Sequence, residues 1–535
     1  MWPRGLRVNL YSRCSDDHEL MHPREEATTE SFDDSVLFRA DSSIQMGTGH
    51  MMRCLALAQE WRRSGGIHPI FVTAVNASAL EARLQSEGIE VVHLPVPLGS
   101  DEDAIRTAHL ARQLKATWVV VDGYHFGASY QRIIKESGFR LLAIDDDVHA
   151  RHYYADIVLN QNLYGHQSMY VSREPYTKLL LGTRYVLLRR EFLSWLGRKP
   201  TTPQVARKVL VTLGGSDPSN VTARVIRALQ GVKVKGLEVL VVVGGSNPHY
   251  QELQSTVQGS QIPTRLESNV TDMPRLMAWA DVAISSAGCT YWELAFVGVP
   301  TLVLELAADH HRAAEALHEA KVAINLGPAD NLSSSRIAQE TTRLLVEARR
   351  RNEMARLAQE LVDGKGVQRT LLHIKSTALR LRKVRQEDCK LLWEWANDRE
   401  VRAASFSTAC IPWEQHIMWF KSKLRDPHCN LYVATDNAAM PIGQVRYDIK
   451  DNEATVSISI DRKFRGRGYG STLIWISSQE VFSTAHVAVV HAYVRKGNDA
   501  SIRAFMKAGF HCVGETTVRQ NEAVHLALRR DGSTL

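Results

Sequence analysis

Short apolar runs alternate with amphipathic stretches from about Ser35 onwards, and this alternation sets the first expectation for the fold. "SVLFRAD" has the pattern of a buried strand, "MGTGH" that of a turn, and "MMRCLALAQEWRRSG" that of an amphipathic helix ended by glycine. Further short apolar runs follow, most with a helical stretch before the next: "HPIFVTA", "IEVVHLP", "WVVVDGY" and "FRLLAIDDD". The pattern predicts a parallel sheet with helices on both faces.

A second series of the same kind follows the basic, proline-containing stretch "LGRKPTTPQVARK". Its predicted strands are "VLVTLGGS", "LEVLVVVGGSN", "DVAISSAG" and "PTLVLEL", and a helical, charged segment at 334–375 closes it. Two doubly wound α/β domains in tandem place a ligand cleft between them, at the carboxyl ends of their strands.

The pattern changes again near Thr377, where strands follow one another before a glycine-rich turn opens a helix. The strands are "NLYVATD", "PIGQVRYDI" and "EATVSISID", and the turn and helix are "RKFRGRGYGSTLIWISSQEVF". This order predicts a smaller α+β domain. The expected domains are 35–195, 196–375 and 376–535, after a polar, acidic extension at 1–34 that we expect to be disordered.

Composition and charge limit the kinds of molecule that the chain is expected to bind. A formal charge of +7 on 535 residues, without a long Lys/Arg run, suits small anionic molecules rather than nucleic acid. The apolar runs are too short for a membrane span, so no membrane partner is expected. Seven scattered cysteines without C-x-x-C favour a reducing cytoplasm. Oligomeric state is left open.

The turn "MGTGH" carries the first candidate chemistry. Gly47 and Gly49 allow a tight turn close to a ligand, and the helix that begins there points free N–H groups at an anion. His50 adds a group that exchanges protons near neutral pH. Two interpretations stay open: His50 transfers protons, or it only donates a hydrogen bond to a phosphate.

The second series of strands and helices carries a further set of candidate ligand-binding motifs. "LVTLGGSDPSN" runs a strand into another phosphate-binding turn, and "SSAGCTYWELAFVGVP" turns from Ser285 into a helix that carries a carboxylate. That carboxylate, Glu293, either binds a ribose diol or only complements the helix N-terminus. The residues expected to hold a nucleotide here are Gly214, Gly215, Ser216, Ser286, Gly288 and Glu293.

These motifs carry a resemblance over about residues 35–327. "RADSSIQMGTGHMMRCLALA", "VVDGYH", "IDDDVHARHYYADIVLN", "LGGSDPSN" and "SSAGCTYWELAFVGVP" resemble the UDP-sugar hydrolases of the pseudaminic acid pathway, which act on UDP-2,4-diacetamido-2,4,6-trideoxy-β-L-altropyranose. The last block is also similar to the lipid II N-acetylglucosaminyltransferases, which share the two-domain GT-B fold. The resemblance implies a GT-B-like pair of Rossmann-type domains.

The same resemblance implies an activity and its residues. His50 would activate water to displace UDP with inversion and without a metal, and Tyr124 would lie near the reacting sugar. One of Asp145, Asp146 and Asp147 would orient His50 or bind sugar hydroxyls; otherwise they are solvated charges or helix caps. Asp145 is taken as the catalytic one. Further substrate contacts are expected at Arg53, Asn160 and Asn162.

The third domain carries two further motifs, about thirty residues apart. "RKFRGRGYGSTLI" fits R-x-x-G-x-G/A, and "GNDASIRAFMKAGF" supplies N-x-x-S-x-x-x-F-x-K-x-G-F. Together they resemble the GNAT N-acetyltransferases, which implies acetyl-CoA as co-substrate and transfer of its acetyl group to an amine. The residues expected to bind it are Arg465, Gly466, Arg467, Gly468, Tyr469, Gly470, Asn498 and Ser501.

One residue departs from the GNAT pattern. Phe505 stands where many members have a tyrosine that protonates the leaving thiolate, so a water or another residue must do so, or the domain is weakly active. Glu453 is a candidate for accepting the amine proton, or is a turn residue.

Together the resemblances suggest that the C-terminal domain acetylates the 4-amino UDP-sugar that the N-terminal pair then hydrolyses. Three alternatives stay open. The first is a GT-B glycosyltransferase with a fused acetyltransferase, and the second is a sugar-nucleotide sensor without turnover. The third keeps both activities on another diamino hexose.

Overall fold

Three β-sheets follow one another along the chain in the computed structural model. It describes residues 35–43, 46–64, 68–76, 78–199, 202–215, 217–245 and 247–531. The extension predicted at 1–34 lies outside the described residues, as does Ser216. The three sheets belong to one compact unit spanning residues 34–535. The domain boundaries expected from the sequence therefore stay predictions.

The first sheet is fully parallel, in the order β3-β2-β1-β4-β5-β6-β7. Its strands are β1 Ser35–Ala40, β2 Pro69–Thr73, β3 Glu90–His93, β4 Ala116–Asp122, β5 Arg140–Ile144, β6 Ile157–Asn160 and β7 Lys178–Leu181. The helices between them are α1 Gly49–Arg63, α2 Ser78–Ser86, α3 Asp101–Gln113 and α4 Ala128–Glu136. The sequence pattern predicts β1 to β5 but not β6 and β7, which are only four residues each.

The second sheet repeats this topology, in the order β10-β9-β8-β11-β12-β13. Its strands are β8 Lys208–Thr212, β9 Glu238–Val243, β10 Thr264–Ser268, β11 Val282–Ser286, β12 Thr301–Glu305 and β13 Ala323–Pro328. Its helices are α5 Val221–Leu229, α6 Tyr250–Gln258, α7 Met273–Trp279, α8 Cys289–Val297, α9 His310–Glu319, α10 Ser334–Val346 and α11 Ala348–Leu361. In each sheet the strand order reverses beside its first strand, which is where doubly wound folds bind ligands. The predicted pair of Rossmann-type domains is confirmed.

Helix α12, Gly366–Ser376, precedes a third, mixed sheet in the order β14-β15-β16-β17-β18-β20-β19. Its strands are β14 Arg380–Lys383, β15 Cys429–Thr435, β16 Pro441–Lys450, β17 Glu453–Ile460, β18 Val489–Arg495, β19 His511–Val518 and β20 Asn521–Arg529. Its helices are α13 Cys389–Ala396, α14 Arg399–Ala404, α15 Trp413–Arg425, α16 Tyr469–Thr484 and α17 Asp499–Lys507. The α+β prediction for this part is confirmed.

Short 3-10 helices complete the architecture, and no membrane-spanning helix is found among the parts of the chain described above. The helices from Gly49 to Lys507 all lack the length and hydropathy that a bilayer crossing needs. The 3-10 helices span Gln167–Tyr170, Thr183–Tyr185, Arg190–Trp195, Ala329–Asn331, Gln386–Asp388 and Arg462–Phe464.

Helix α12 returns from the second sheet to the first. Its Val367, Leu371 and Ile374 are buried in one core with α1 and the first sheet. Apolar side chains at this spacing lie on one helix face, so that face of α12 is committed to the first sheet. The segment 334–375, taken from the sequence as part of the second domain, thus ends on the first.

The third sheet rests on the same helix through α16. Trp475 of α16 meets the ring of His373 edge-on at 4.6 Å, and the Lys178 ammonium lies 5.3 Å from the Trp475 ring centre. The Lys375 Nζ donates to the carbonyl of Ser64, just beyond α1, at 3.0 Å. A Cβ added to Gly468 would lie 2.9 Å from that Nζ. The glycine turn before α16 therefore abuts the end of α1.

We expect Leu371→Ala to lower the free energy of unfolding by about 2–5 kcal/mol, because it opens a cavity where α12 joins α1. Denaturant unfolding followed by tryptophan fluorescence measures this loss. Leu424→Ala is the matched control, since Leu424 is 40% exposed. Equal losses in the two variants would contradict the packing role of α12.

Candidate active sites

The two glycine turns predicted as anion sites face each other across one cleft. A Cβ added to Gly215 would lie 2.5 Å from the Thr48 Oγ1, so only glycine fits there. A Cβ on Gly49 would lie 3.5 Å from the Cys289 Sγ, at the first residue of α8. Gly47 has φ +71°, a left-handed conformation that favours glycine. The turn after β1 therefore meets the turns after β8 and β11.

His50 lies in the first turn of α1, and its ring is held by a carboxylate from the neighbouring strand. The His50 Nδ1 is 2.7 Å from the Asp122 Oδ1, at the end of β4. The Asp122 side chain is fully buried, and that of His50 is 8% exposed. Because the carboxylate only accepts hydrogen bonds, the neutral form of the ring has its proton on Nδ1 and its lone pair on Nε2.

Arg53, one turn further along α1, keeps this carboxylate charged. Its Nε lies 2.7 Å from the Asp122 Oδ2 and its Nη2 lies 2.8 Å from Oδ1. Its Nη1 donates to Asp146 at 2.8 Å. Burial by itself would raise the pKa of Asp122, but Arg53 and then His50 hold that pKa below its ordinary value. The predicted substrate contact Arg53 is thus bound to two carboxylates.

Tyr124 reaches from the first sheet to the second. Its ring meets that of His50 edge-on at 5.3 Å, and its Oη donates to the Asp309 Oδ2 at 2.9 Å. Tyr124 is 42% exposed in the cleft. Desolvation by the cleft walls, then Asp146 and Asp309, raise the pKa of Tyr124, so the phenol stays protonated and can donate a hydrogen bond.

The structure does not bring Asp145 to His50, so the catalytic role expected for it is not supported. Asp145 accepts hydrogen bonds from the Tyr153 hydroxyl and from the backbone N–H groups of Asp147 and Val148, and its Oδ1 lies 2.9 Å from the His149 Nδ1. It is 1% exposed and holds the loop after β5. The carboxylate that orients the histidine is Asp122, inside the quoted "VVDGYH" block.

The two asparagines after β6 differ in placement. Asn160 is fully buried, donates to the Tyr170 hydroxyl at 2.8 Å and accepts from the Asn162 N–H, so its placement argues against a direct sugar contact. Asn162 donates to the Asp146 Oδ1 at 2.7 Å. Asp146 therefore accepts hydrogen bonds from both Arg53 and Asn162. The Asp147 carboxylate forms an ion pair with Arg312 at 3.1 Å.

The second sheet presents a separate carboxylate at α8. Glu293 Oε1 accepts from the Arg189 Nη2 at 2.8 Å and from its Nε at 3.1 Å. Burial raises the pKa of Glu293 and Arg189 opposes this rise, leaving the pKa above its ordinary value. Arg189 comes from the segment that links the two sheets and is not recognisable as a partner from the sequence.

The start of α8 is open to a ligand. Gly288 is its N-cap and makes no side-chain cap, and no acidic residue stands in the first turn. A Cβ on Gly288 would lie 3.6 Å from the Ser286 Oγ and 3.9 Å from the His310 Nε2. Ser285, by contrast, donates to the Thr212 carbonyl within the sheet.

The turn after β8 offers fewer anion-binding groups than the sequence predicts. Gly214 has φ +97°, but both oxygens of Asp217 accept from the first N–H groups of α5, at Val221 and Thr222. A carboxylate thus already caps that helix. The backbone at Gly214 and Gly215 remains the candidate phosphate contact.

The glycine turn before α16 has the backbone that an anion needs. Gly466 and Gly468 have φ +79° and +85°, and Gly468 is the N-cap of α16 without a side-chain cap. The Arg465 guanidinium is turned away to Asp398 and Glu400, at 2.8 Å each. The backbone of the turn at Gly466 and Gly468, rather than the Arg465 side chain, is therefore the candidate phosphate contact.

The other candidate residues of the third domain lie outside the glycine turn. Asn498 caps α17 by accepting from the Ser501 N–H at 3.2 Å. Phe505 is buried against Phe510 and offers no proton. Glu453 stands at the opposite end of β17 from the turn, which follows Ile460.

One group within the described residues has three metal-ligating side chains near one another: Glu305, His311 and Glu315. The Asn325 amide donates to Glu305 at 2.8 Å and to Glu315 at 2.7 Å, so both carboxylates already have a partner. The group lies on β12 and α9.

Two protein families match parts of the chain. The "Acetyltransferase (GNAT) domain" matches residues 378–511, and the "Glycosyltransferase family 28 C-terminal domain" matches residues 209–369. The predicted GNAT resemblance is thereby confirmed, and the second match covers α8 and most of the second sheet.

Curated relatives extend the comparison. An uncharacterized protein of Methanocaldococcus jannaschii is 23% identical over 489 residues, 88% of this chain and 95% of that protein. The spore coat polysaccharide biosynthesis protein SpsG of Bacillus subtilis is 25% identical over 330 residues, 61% of this chain and 94% of that protein. The UDP-2,4-diacetamido-2,4,6-trideoxy-β-L-altropyranose hydrolase of Campylobacter jejuni is 27% identical over 223 residues, 41% of this chain and 73% of that enzyme.

Solved structures resemble the two parts separately. Spermidine N-acetyltransferase from Vibrio cholerae, in complex with CoA and spermine, is 17% identical with a TM-score of 0.28, over 29% of this chain and 98% of that one. MurG of Acinetobacter baumannii is 17% identical with a TM-score of 0.45, over 64% of this chain and 99% of that one. The relatives confirm the predicted resemblance: the N-terminal part is homologous to the UDP-sugar hydrolase and to SpsG, and a GNAT domain follows it.

We expect Arg53→Met to destabilise the protein by about 3–5 kcal/mol at pH 7, because it leaves the charge of Asp122 without its main partner. The lowered pKa of Asp122 adds stability that is present above its unfolded pKa of about 3.9 and lost as pH falls through the folded pKa. Without Arg53, burial raises the pKa of Asp122, so the acid loss begins at higher pH. Thermal unfolding from pH 3 to 8 measures both effects. In the control Arg356→Met, which breaks an exposed pair with Glu360, stability should change by less than about 0.5 kcal/mol.

Proposed function

We propose that the two facing sheets form a hydrolase that releases UDP from a UDP-2,4-diacetamido-2,4,6-trideoxyhexose by breaking the bond between the anomeric carbon and the diphosphate oxygen. One observation carries this proposal: the His50–Asp122 pair lies where two glycine turns meet. The relationship to the Campylobacter jejuni hydrolase supports the substrate class.

The geometry suits His50 as a general base. With Asp122 accepting the Nδ1 proton, the lone pair of Nε2 takes a proton from water while the water oxygen bonds to the anomeric carbon. The C1–O bond breaks, and its electron pair leaves with UDP. The positive charge then on the imidazole is stabilised by Asp122, which Arg53 keeps ionised. Tyr124, beside the His50 ring, is placed to contact the sugar.

The nucleotide is assigned to the second sheet. Glu293, once it exchanges Arg189 for the ribose, would accept hydrogen bonds from both hydroxyls of the diol. The uncapped N-terminus of α8, at Gly288, suits an anion, as do the turns at Gly47 and Gly214. These assignments place the diphosphate between the two sheets.

The third domain is proposed to bind acetyl-CoA and to acetylate the 4-amino group of the preceding UDP-sugar. The residues fit: two left-handed glycines precede an uncapped helix, and β17 and β18 pair only over Glu453–Thr455 before they diverge. The turn at 465–470 would hold the pyrophosphate, and acetyl-CoA would supply an activated acyl group. Acetylation and hydrolysis would then be consecutive reactions of one chain.

A glycosyltransferase is the second candidate, favoured by the family 28 match over residues 209–369. A transferase needs an acceptor, whereas a hydrolase releases UDP in buffer alone. Mass spectrometry of the products formed in oxygen-18 water separates the two. Label on the sugar C1 hydroxyl supports hydrolysis, and release of UDP only when an acceptor is added supports transfer.

We expect His50→Asn and Asp122→Asn each to lower the rate of UDP release by about 10²- to 10⁴-fold, because the first removes the base and the second its tautomer control. Single-turnover release of UDP measures this. The control His109→Asn alters an exposed histidine of α3 and should match the wild type. Unchanged release in His50→Asn, or label on UDP instead of the sugar, would contradict the proposed role of His50.

We expect Gly468→Ala to weaken CoA binding at least tenfold, because a side chain is strained at φ +85° and would lie 3.2 Å from the Ser64 carbonyl. Titration calorimetry of CoA with the full chain measures the affinity. Gly327→Ala is the matched control: Gly327 has φ +87°, but a Cβ there meets nothing within 4 Å. Equal CoA affinity in all three proteins would exclude the turn as its site.

A further inference from the structure

The third sheet opens into a fork between β17 and β18. Their backbones pair at three positions, ending at Thr455 with His491, and beyond this apex the strands diverge. One face of the fork is buried under α16 and α17 through Ala454, Val456 and Ala492. Since side chains alternate along a strand, the neighbouring residues point to the opposite face.

That opposite face carries two histidines in direct contact. The His491 Nδ1 lies 2.9 Å from the Nε2 of His525 on β20. The Glu453 Oε2 lies 3.2 Å from the other nitrogen of His491, and the Tyr493 ring stacks on His525 at 4.7 Å and 13°. Glu453, His491 and His525 therefore form a line that ends at the His525 Nδ1. We call these three residues the fork triad.

The hydrogen bond between the two imidazole rings has a direction. Of two imidazole nitrogens at 2.9 Å, one donates and the other accepts, so a single proton lies between them. The negative charge of Glu453, 3.2 Å from the His491 Nε2 but without a hydrogen bond to it, favours the tautomer of His491 that carries its proton there, so His491 Nδ1 accepts from His525 Nε2–H. The His525 Nδ1 then has a lone pair. A proton added there places positive charge on a chain that ends in a carboxylate.

We propose that the fork triad is the proton acceptor of acetyl transfer, with His525 taking the proton from the amine, a role that rests on the proposed acetyltransferase function. The turn that would hold the pyrophosphate follows Ile460, five residues beyond the apex. At about 3.3 Å per residue this is about 16 Å, the scale of an extended pantetheine arm. The acyl group would thus reach the end of the fork where His491 stands.

The step balances without a further reactant. The amine nitrogen bonds to the acyl carbon, the carbon–sulfur bond breaks, and the sulfur leaves with its electron pair as thiolate. The amine proton passes to the His525 Nδ1. Phe505 has no proton to give, so water protonates the thiolate, and the proton held by His525 then passes to the resulting hydroxide. The products are the acetamide and the free thiol.

The surroundings of the pair favour the neutral form of His525. Burial, then the nearby His491, lower the pKa of His525, and Glu453 opposes them, so His525 is an unprotonated base at neutral pH. On the neighbouring strand and helix, Asp448 is bound by Arg446 at 2.9 Å and by Lys423 at 2.8 Å. Glu453 is thus the carboxylate that faces the pair.

The test is acetyl transfer by the full chain from acetyl-CoA to the 4-amino UDP-sugar, measured as kcat/KM from pH 5.5 to 9. We expect His525→Asn to lower kcat/KM at pH 7 at least 100-fold and to abolish its rise with pH, while calorimetric CoA affinity and UDP release stay unchanged. His491→Gln should move the rise in kcat/KM to higher pH. His486→Gln, an exposed histidine just before β18, is the matched control and should match the wild type. Wild-type kcat/KM and pH profile in His525→Asn would overturn the proposal.

A second measurement does not depend on turnover. In the full chain with ¹³C-labelled histidine, the ring signal of His525 is titrated with and without His491→Gln. Because His491 lowers the pKa of His525, the substitution should raise it. An identical titration would overturn the fork triad. Absence of acetyl transfer from the wild type to any amino-sugar nucleotide, with the ring coupling intact, would instead overturn the acetyltransferase function.

Discussion

The buried carboxylate of Asp122 is the interaction on which the first cleft depends. It lies at the end of β4 with no exposed surface, yet it is charged, because a guanidinium and an imidazole from one helix face share its two oxygens. An uncompensated charge in that position would cost several kcal/mol. The same contacts fix α1 over the end of the sheet and set the tautomer of His50. Stability and chemistry thus share one set of hydrogen bonds.

Two parallel sheets of the same doubly wound topology, one of seven strands and one of six, bring complementary groups to that point. The first supplies the His50–Asp122 pair and Tyr124, and the second supplies glycine turns, the start of α8 and Glu293. Tyr124 with Asp309 and Asp147 with Arg312 join the sheets at the cleft, while Arg189 of the linking segment reaches Glu293. In the proposed reaction, proton transfer and nucleotide recognition are therefore divided between the two sheets.

Much of this architecture is predicted by local sequence patterns, and the features that are not predicted share one physical cause. Apolar runs predict β1 to β5, and glycine spacing locates the turns at Gly47, Gly214 and Gly468, since these features depend on neighbours in sequence. The sequence does not single out Asp122, because its partner is 72 residues away and the triplet after β5 carries more charge. Strands β6 and β7 have no α-helix before them to mark the alternation of strand and helix, and the return of α12 to the first sheet is decided by tertiary packing. The three residues of the fork triad lie on three different strands, so no spacing within one segment of the sequence predicts the triad.

Helix α1 has one end in each of the two proposed catalytic centres. His50 occupies its first turn, and Ser64, just beyond its last residue, lies with Lys375 against the turn at Gly468. Fifteen residues make a rod of about 22 Å. Both proposed centres are therefore built on one continuous helix, so the placement of α1 is a constraint that they share.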